Sequence, residues 1–229
     1  MHSINQITCL ALQLTNSFTC FGFNNCDNLT QMKSPVNPPW KEQLKEELSR
    51  QPVNFFTFAT VKDGKPRART LTLKGFLGET GAEMPTTFSD SLFVGADSRQ
   101  DKVQEVLASP AFEAVFWLPN VGSQWRIRGE AAVLGGDDAV AREKITQHLQ
   151  PAEGWTFEDE ILKGFNTLDK GQKYKFGVTD GGVVGVVPKE FRMLVLLPQV
   201  VERLGIKPPE LGIKHYEARI GYPVGWVES

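Results

Sequence analysis

Asp63-Gly64 stands between two strand-like runs, 54–62 and 67–76, and is the strongest local constraint on how this chain folds. A two-residue Asp-Gly loop takes positive φ at both positions and turns the chain back into a tight antiparallel hairpin. The pattern recurs. A loop rich in Gly, Thr and Ser over 78–90 precedes a strand at 92–96, and 112–118 returns as 124–134 across the turn at 119–123. Further strand-like runs lie at 174–179, 183–187, 191–197 and 214–220, separated by Gly or Pro.

Helical patterns are few. Asn37-Pro38-Pro39 reads as a helix start with Asn37 as cap, and Trp40, Leu44 and Leu48 follow as one apolar stripe. Ser98 to Ser109 reads as a helix capped by Ser98, with Asp101 three residues on and Pro110 ending it. Asp137 opens a polar helix to about Leu149, and 150–172 has no clear period. Many strands joined by tight turns, with peripheral helices, predict a mainly β (α+β) fold, an antiparallel barrel rather than a βαβ sheet.

Composition narrows the function classes. A formal charge of −2 argues against a broad nucleic-acid surface. Cys9, Cys20 and Cys26 are the three cysteines, so residues 27–229 hold no thiol nucleophile, disulfide or cysteine-ligated zinc. His2, His148 and His215 are too scattered for a histidine metal site, and no metal is expected. Residues 1–31 lack Lys and Arg, unlike a secretory or transit signal, and the apolar run 7–14 is too short to span a bilayer. The expected organisation is a disordered leader or mis-assigned start over 1–34 and one domain over 35–229. A cytoplasmic protein with no membrane partner follows.

Three segments carry candidate chemistry. The first, Arg69-Thr70-Leu71-Thr72-Leu73-Lys74, offers a guanidinium fork, two hydroxyls and an ammonium, all suited to a phosphate. In a regular strand Arg69 and Lys74 point to opposite faces, and solvated cations on an exposed strand are the plainer reading. The second, Asp97-Ser98-Arg99-Gln100-Asp101-Lys102, puts Ser98, Arg99 and Lys102 at a helix start, where free N–H groups attract an anion. Two surface cations are the alternative. The third puts Gln124, Arg126 and Arg128 on one strand face and Trp125 and Ile127 on the other.

The order and spacing of these segments resemble the pyridoxamine 5′-phosphate oxidase-like, FMN-binding split-barrel family. The closer likeness is to its Alr4036-type branch, where a strand reading R-T-x-x-x-K-G-F precedes a D-x-R-x-x-K helix start. The resemblance spans roughly 38–228 and is strongest from 55 to 134. It implies an FMN-binding split β-barrel with peripheral helices, acting as a homodimer that completes its flavin site with the partner chain. Carried over, the cofactor residues are Arg69, Thr70, Leu71, Thr72, Lys74, Ser98, Arg99 and Lys102. Gln124, five residues before Gly129, would meet the flavin ring. Arg219 would reach the flavin from a closing strand, or form a structural ion pair.

The substrate half departs from the family. True pyridoxamine phosphate oxidases hold the substrate phosphate with a Tyr, an Arg and a Ser on the helix after the Gln strand, and 137–149 has no such set. Their Arg-x-His pair is absent from His215-Tyr216-Glu217, where Glu217 would repel a phosphate. The reading is an FMN-dependent oxidoreductase acting on an unidentified small molecule, with no catalytic side chain assigned. Its rivals are a genuine pyridoxamine 5′-phosphate oxidase with an altered pocket and a non-catalytic flavin-binding protein.

Overall fold

The computed structural model describes residues 38–80, 87–219 and 225–228. The expected leader over 1–34, the cysteines and the Asn37 cap lie outside them. Helix α1 is Lys41–Ser49, and β1 (Phe55–Lys62) and β2 (Lys65–Thr72) form the first hairpin. Asp63 and Gly64 have φ of 53° and 70°, the turn their sequence requires. β3 (Gly75–Phe76), β4 (Phe88–Ser89) and β5 (Leu92–Asp97) lead to α2 (Asp101–Ala108). β6 (Ala111–Leu118) and β7 (Ser123–Leu134) are the second hairpin, and α3 is Ala139–Thr146. β8 (Leu149–Gln150), α4 (Phe157–Asn166) and α5 (Lys170–Tyr174) precede β9 (Phe191–Gly205), β10 (Gly212–Arg219) and β11 (Gly225–Glu228).

The main sheet is antiparallel, in the order β11-β10-β9-β7-β6-β1-β2, with β5 joining β9 and β3 joining β5. Among the described residues the sheet does not close on itself, and β2 ends the path with one edge unpaired. β4 and β8 pair separately.

Several strand and helix limits differ from the sequence reading, each for a local reason. The run 67–76 divides: Leu73 N–H donates to Asn54 O of the β1 side (2.9 Å), and Lys74 N–H to Phe93 O of β5 (3.1 Å). The chain changes partner strand within one residue. The run 191–197 continues to Gly205 because Pro198 falls at a β-bulge, opposite Gly129, where a missing N–H costs little. Gly129 is required there, since a Cβ would lie 2.0 Å from Leu197 O.

The runs 174–179 and 183–187 are not strands. Asp169 and Gln172 form a reciprocal capping box that starts α5, and Val183 and Val186 are exposed on a loop. Ser98 does not cap α2. Its N–H donates to Glu190 O (2.8 Å), and the helix begins after Gln100. The helix expected over 137–149 is shorter, with Asp138 before its first turn.

Two apolar cores share β9. Leu194, Leu196 and Val201 face one, together with the α1 stripe Trp40, Leu44 and Leu48. Met193, Val195 and Leu197 face the other, which α3 and α4 cover through Ile145, Ile161 and Phe165. Trp226 lies edge-on to Trp40, ring centroids 5.4 Å apart. Each fully buried apolar side chain of this size contributes about 2 kcal/mol.

Candidate functional site

The change of partner at Leu73–Lys74 opens a split between β2 and β5. A cleft of about 240 Å³ fills it, lined by Thr70, Leu71 and Thr72 on one side and Val94 to Asp97 on the other. Gln100 and Lys102 close one end, and Leu168, Gln172, Lys175 and Phe176 from the α4–α5 segment close another. Among the described residues β2 pairs only with β1, so its outer edge carries unpaired backbone N–H and C=O groups beside the cleft that Thr70, Leu71 and Thr72 line.

Lys102 sits half-buried in the first turn of α2, and its ammonium donates to Gln100 Oε1. Burial, then the nearby charges of Arg69 and Lys175, push it down to about 8. Among the described residues no carboxylate lies within ion-pair distance of it. A half-buried cation without a counter-ion beside free backbone donors is suited to an anion.

The other expected ligands are placed differently. Arg69 points into the barrel, where its guanidinium bonds Glu105 and Thr60 Oγ1 (2.6 Å) and lies over the Phe58 ring. Arg99 is largely exposed and folds back on Asp97, Nε to Oδ1 at 2.8 Å, holding that carboxyl below its usual range. Ser98 is half-buried beside it and does not line the cleft. Lys74 turns to Gln172 Oε1 (2.7 Å), and burial lowers its pKa. The structure therefore brings together Thr70, Leu71, Thr72 and Lys102, with Lys74 at the margin.

Gln124 lies elsewhere. It is half-buried on the outer face of β7, three strand spacings from β2, or about 14 Å across the sheet. Its row of facing residues runs Phe55, Trp117, Gln124, Leu204, Ile213, from the pairings Trp117↔Gln124, Gln124↔Leu204 and Leu204↔Ile213 and the β1–β6 register continued by two residues. Phe55, Trp117 and Ile213 are exposed by 55%, 51% and 72%, an apolar row on an outer face. Thr72 pairs with Phe55 and so shares this face. The Arg219 side chain lies outside the described residues. Arg126 and Arg128 are engaged by Glu113 and Glu202.

The sequence reading missed Gln100, Gln172 and Lys175. The Asp169-to-Gln172 spacing carried the signal for α5, since a capping box marks a helix start. Among the described residues no three His, Cys, Asp or Glu side chains group as metal ligands, and no helix is long and apolar enough to cross a membrane.

Residues 37–135 match the family model described as pyridoxamine 5′-phosphate oxidase, FMN-binding domain. That segment, a little under half of the chain, is similar to the FMN-binding domain of that family, as the resemblance implied; the match does not reach to the Alr4036-type branch. No curated protein matches the chain.

Among solved structures, a pyridoxamine 5′-phosphate oxidase-related, FMN-binding protein from Nostoc punctiforme is similar, at 20% identity and a TM-score of 0.63. The alignment covers 86% of this chain and 98% of that one, and it shows the shared fold. PhzG from Burkholderia lata, in complex with tetrahydrophenazine-1-carboxylic acid, aligns at 15% identity over 82% of this chain and 87% of its own, TM-score 0.48. A heme binding protein from Mycobacterium smegmatis aligns at 16% identity over 79% and 58%, TM-score 0.43. Both scores are too low to add to the argument.

Proposed function

We propose that this protein is an FMN-dependent oxidoreductase acting on a small molecule, with the FMN phosphate held in the cleft between β2 and β5. The observation that carries the reading is the half-buried Lys102, without a carboxylate partner among the described residues, facing the free edge of β2. Thr70 and Thr72 supply hydroxyls, Leu71 its backbone and Lys102 the charge. Lys74 flanks the same stretch. Arg69 and Arg99 act at one remove: Arg69 props α2 through Glu105, and Arg99 with Ser98 shapes the turn before Lys102. When bound, the isoalloxazine supplies the redox chemistry, while the protein binds and orients it.

A homodimer fits the same geometry. Gln124 is too far along the sheet to line the cleft of its own chain, and it lies in an exposed apolar row suited to a second copy. A partner seated on that face would join Gln124 to the flavin site. Residues 35–229 act as one domain in this reading, preceded by a leader that flavin binding does not need. The chain is placed in the cytoplasm, with no nucleic-acid or membrane partner.

Denaturing the purified protein and weighing the released chromophore tests the central reading, and FMN is the expected product. Colourless protein that takes up no added FMN would overturn it. Turnover with NAD(P)H or oxygen separates an enzyme from a flavin carrier. Pyridoxamine 5′-phosphate should be a poor substrate, because Glu217 is exposed on β10 and 137–149 offers no Tyr, Arg and Ser set.

A further inference from the structure

We propose that Lys175, at the end of α5, is a second phosphate-binding cation of the cleft, and that with Lys102 it selects a terminal phosphate monoester. The inference rests on the flavin reading above and goes beyond it, since nothing in the β2 or α2 segments points to α5.

Most of the cations around the cleft are already engaged. Arg69 is closed on Glu105, Arg99 on Asp97, and Lys74 is held by Gln172. That leaves Lys102 and Lys175, and among the described residues neither has a carboxylate within ion-pair distance. Both line the same cleft, and the charge of Lys175 is one of the causes that lower the Lys102 ammonium. Lys102 and the exposed Lys175 are adjacent like charges that Asp97 only partly offsets, and a dianion between them relieves the repulsion. A phosphate monoester carries about −1.5 to −2 at neutral pH, which matches the pair; a diester carries one charge and does not.

The wall that carries Lys175 is fixed before any ligand arrives. Asp169 and Gln172 cap α5, and Phe176 and Val178 pack on the second core just beyond it. Lys173, two residues earlier, is buried and donates to the carbonyls of Gly181 and Gly182 at 3.3 and 3.0 Å. It faces the interior while Lys175 faces the cleft.

Full-length wild type, Lys175→Ala, Lys175→Arg and the exposed control Lys163→Ala would each be titrated with FMN and with riboflavin, which lacks the phosphate. Lys175→Ala should weaken FMN by about ten- to a hundredfold and leave riboflavin unchanged. Lys175→Arg should restore most of the loss, and Lys163→Ala should match wild type. If wild type binds FMN and Lys175→Ala loses nothing, or loses both flavins equally, the role of Lys175 is wrong and the flavin reading stands. If wild type binds neither flavin, both fall.

Discussion

Arg69 and Glu105 form an ion pair that ties the inner face of the first hairpin to α2, with Thr60 bonded to both. The Glu105 side chain is only 4% exposed, so removing Arg69 leaves a desolvated carboxylate. Arg69→Ala is therefore expected to destabilise the ligand-free protein by about 1.5–3 kcal/mol, below the figure for a fully buried pair because Arg69 is partly solvated. Urea unfolding of Arg69→Ala, Glu105→Ala and the double variant checks this. Additive losses would show that the pair contributes nothing.

FMN affinity should depend on pH through Lys102. Its ammonium, pushed down to about 8, must be protonated to meet the phosphate, and binding raises that value. Above about pH 8 binding takes up a proton, so affinity falls by up to about tenfold per pH unit. Below about pH 6 the phosphate itself loses charge. The expected maximum lies between these limits, read from flavin fluorescence. Riboflavin should show no such slope, and Lys102→Arg should flatten it on the alkaline side.

Glu47 joins α1 to β7 and β9. Burial alone would push its carboxyl up, but hydrogen bonds from Ser123, Trp125 and Arg203, with the guanidinium charge, outweigh it and hold the group below its usual range. A carboxylate lowered in the folded state adds stability above its unfolded pKa of about 4.3 and loses it as pH falls through the folded value. Glu47→Ala should cost about 1.5–3 kcal/mol near neutrality, because the buried Arg203 loses one carboxylate but keeps Glu210 at 2.6 Å. The gap from wild type should narrow on acidification below about pH 4, and a constant gap in thermal melts would refute the linkage.

The apolar row on the outer face predicts an interface. Trp117→Glu puts a charge within it, at a site 51% exposed in the single chain, so the fold should survive. Light scattering should then show a monomer where wild type is a dimer. A wild-type monomer that keeps its flavin would overturn the dimer.

The hairpins were legible because their turns and alternation are local. Asp63-Gly64 set one of them, and the burial of Phe56 and Phe58 against the exposure of Phe55 and Thr57 follows strand parity. What failed was longer in range. Pro198 looked like a strand end, because a bulge is defined by the opposing Gly129 and not by the proline's own neighbours. Val183, Val184 and Val186 looked like a strand, yet the backbone of Val184 bonds the Asn166 side chain instead of a neighbouring strand. At the cleft, Thr70, Thr72 and Lys102 came from the family resemblance, since their spacing alone suited exposed surface residues equally well, and the structure places all three in its lining. The diversion of Arg69 to Glu105 and the approach of Lys175 could not be read from spacing, since each depends on elements far apart in the chain.

β9 bonds to β5, β7 and β10 and is covered by apolar side chains on both faces. It cannot detach from one core without exposing the other, so partial opening on either side should stop at its boundary. The amides of Leu194, Val195 and Leu196 should exchange with solvent only when the whole sheet comes apart, while those of the exposed Val183 and Val186 exchange early. Local opening at the surface loops can then proceed without disturbing the strand on which both cores depend.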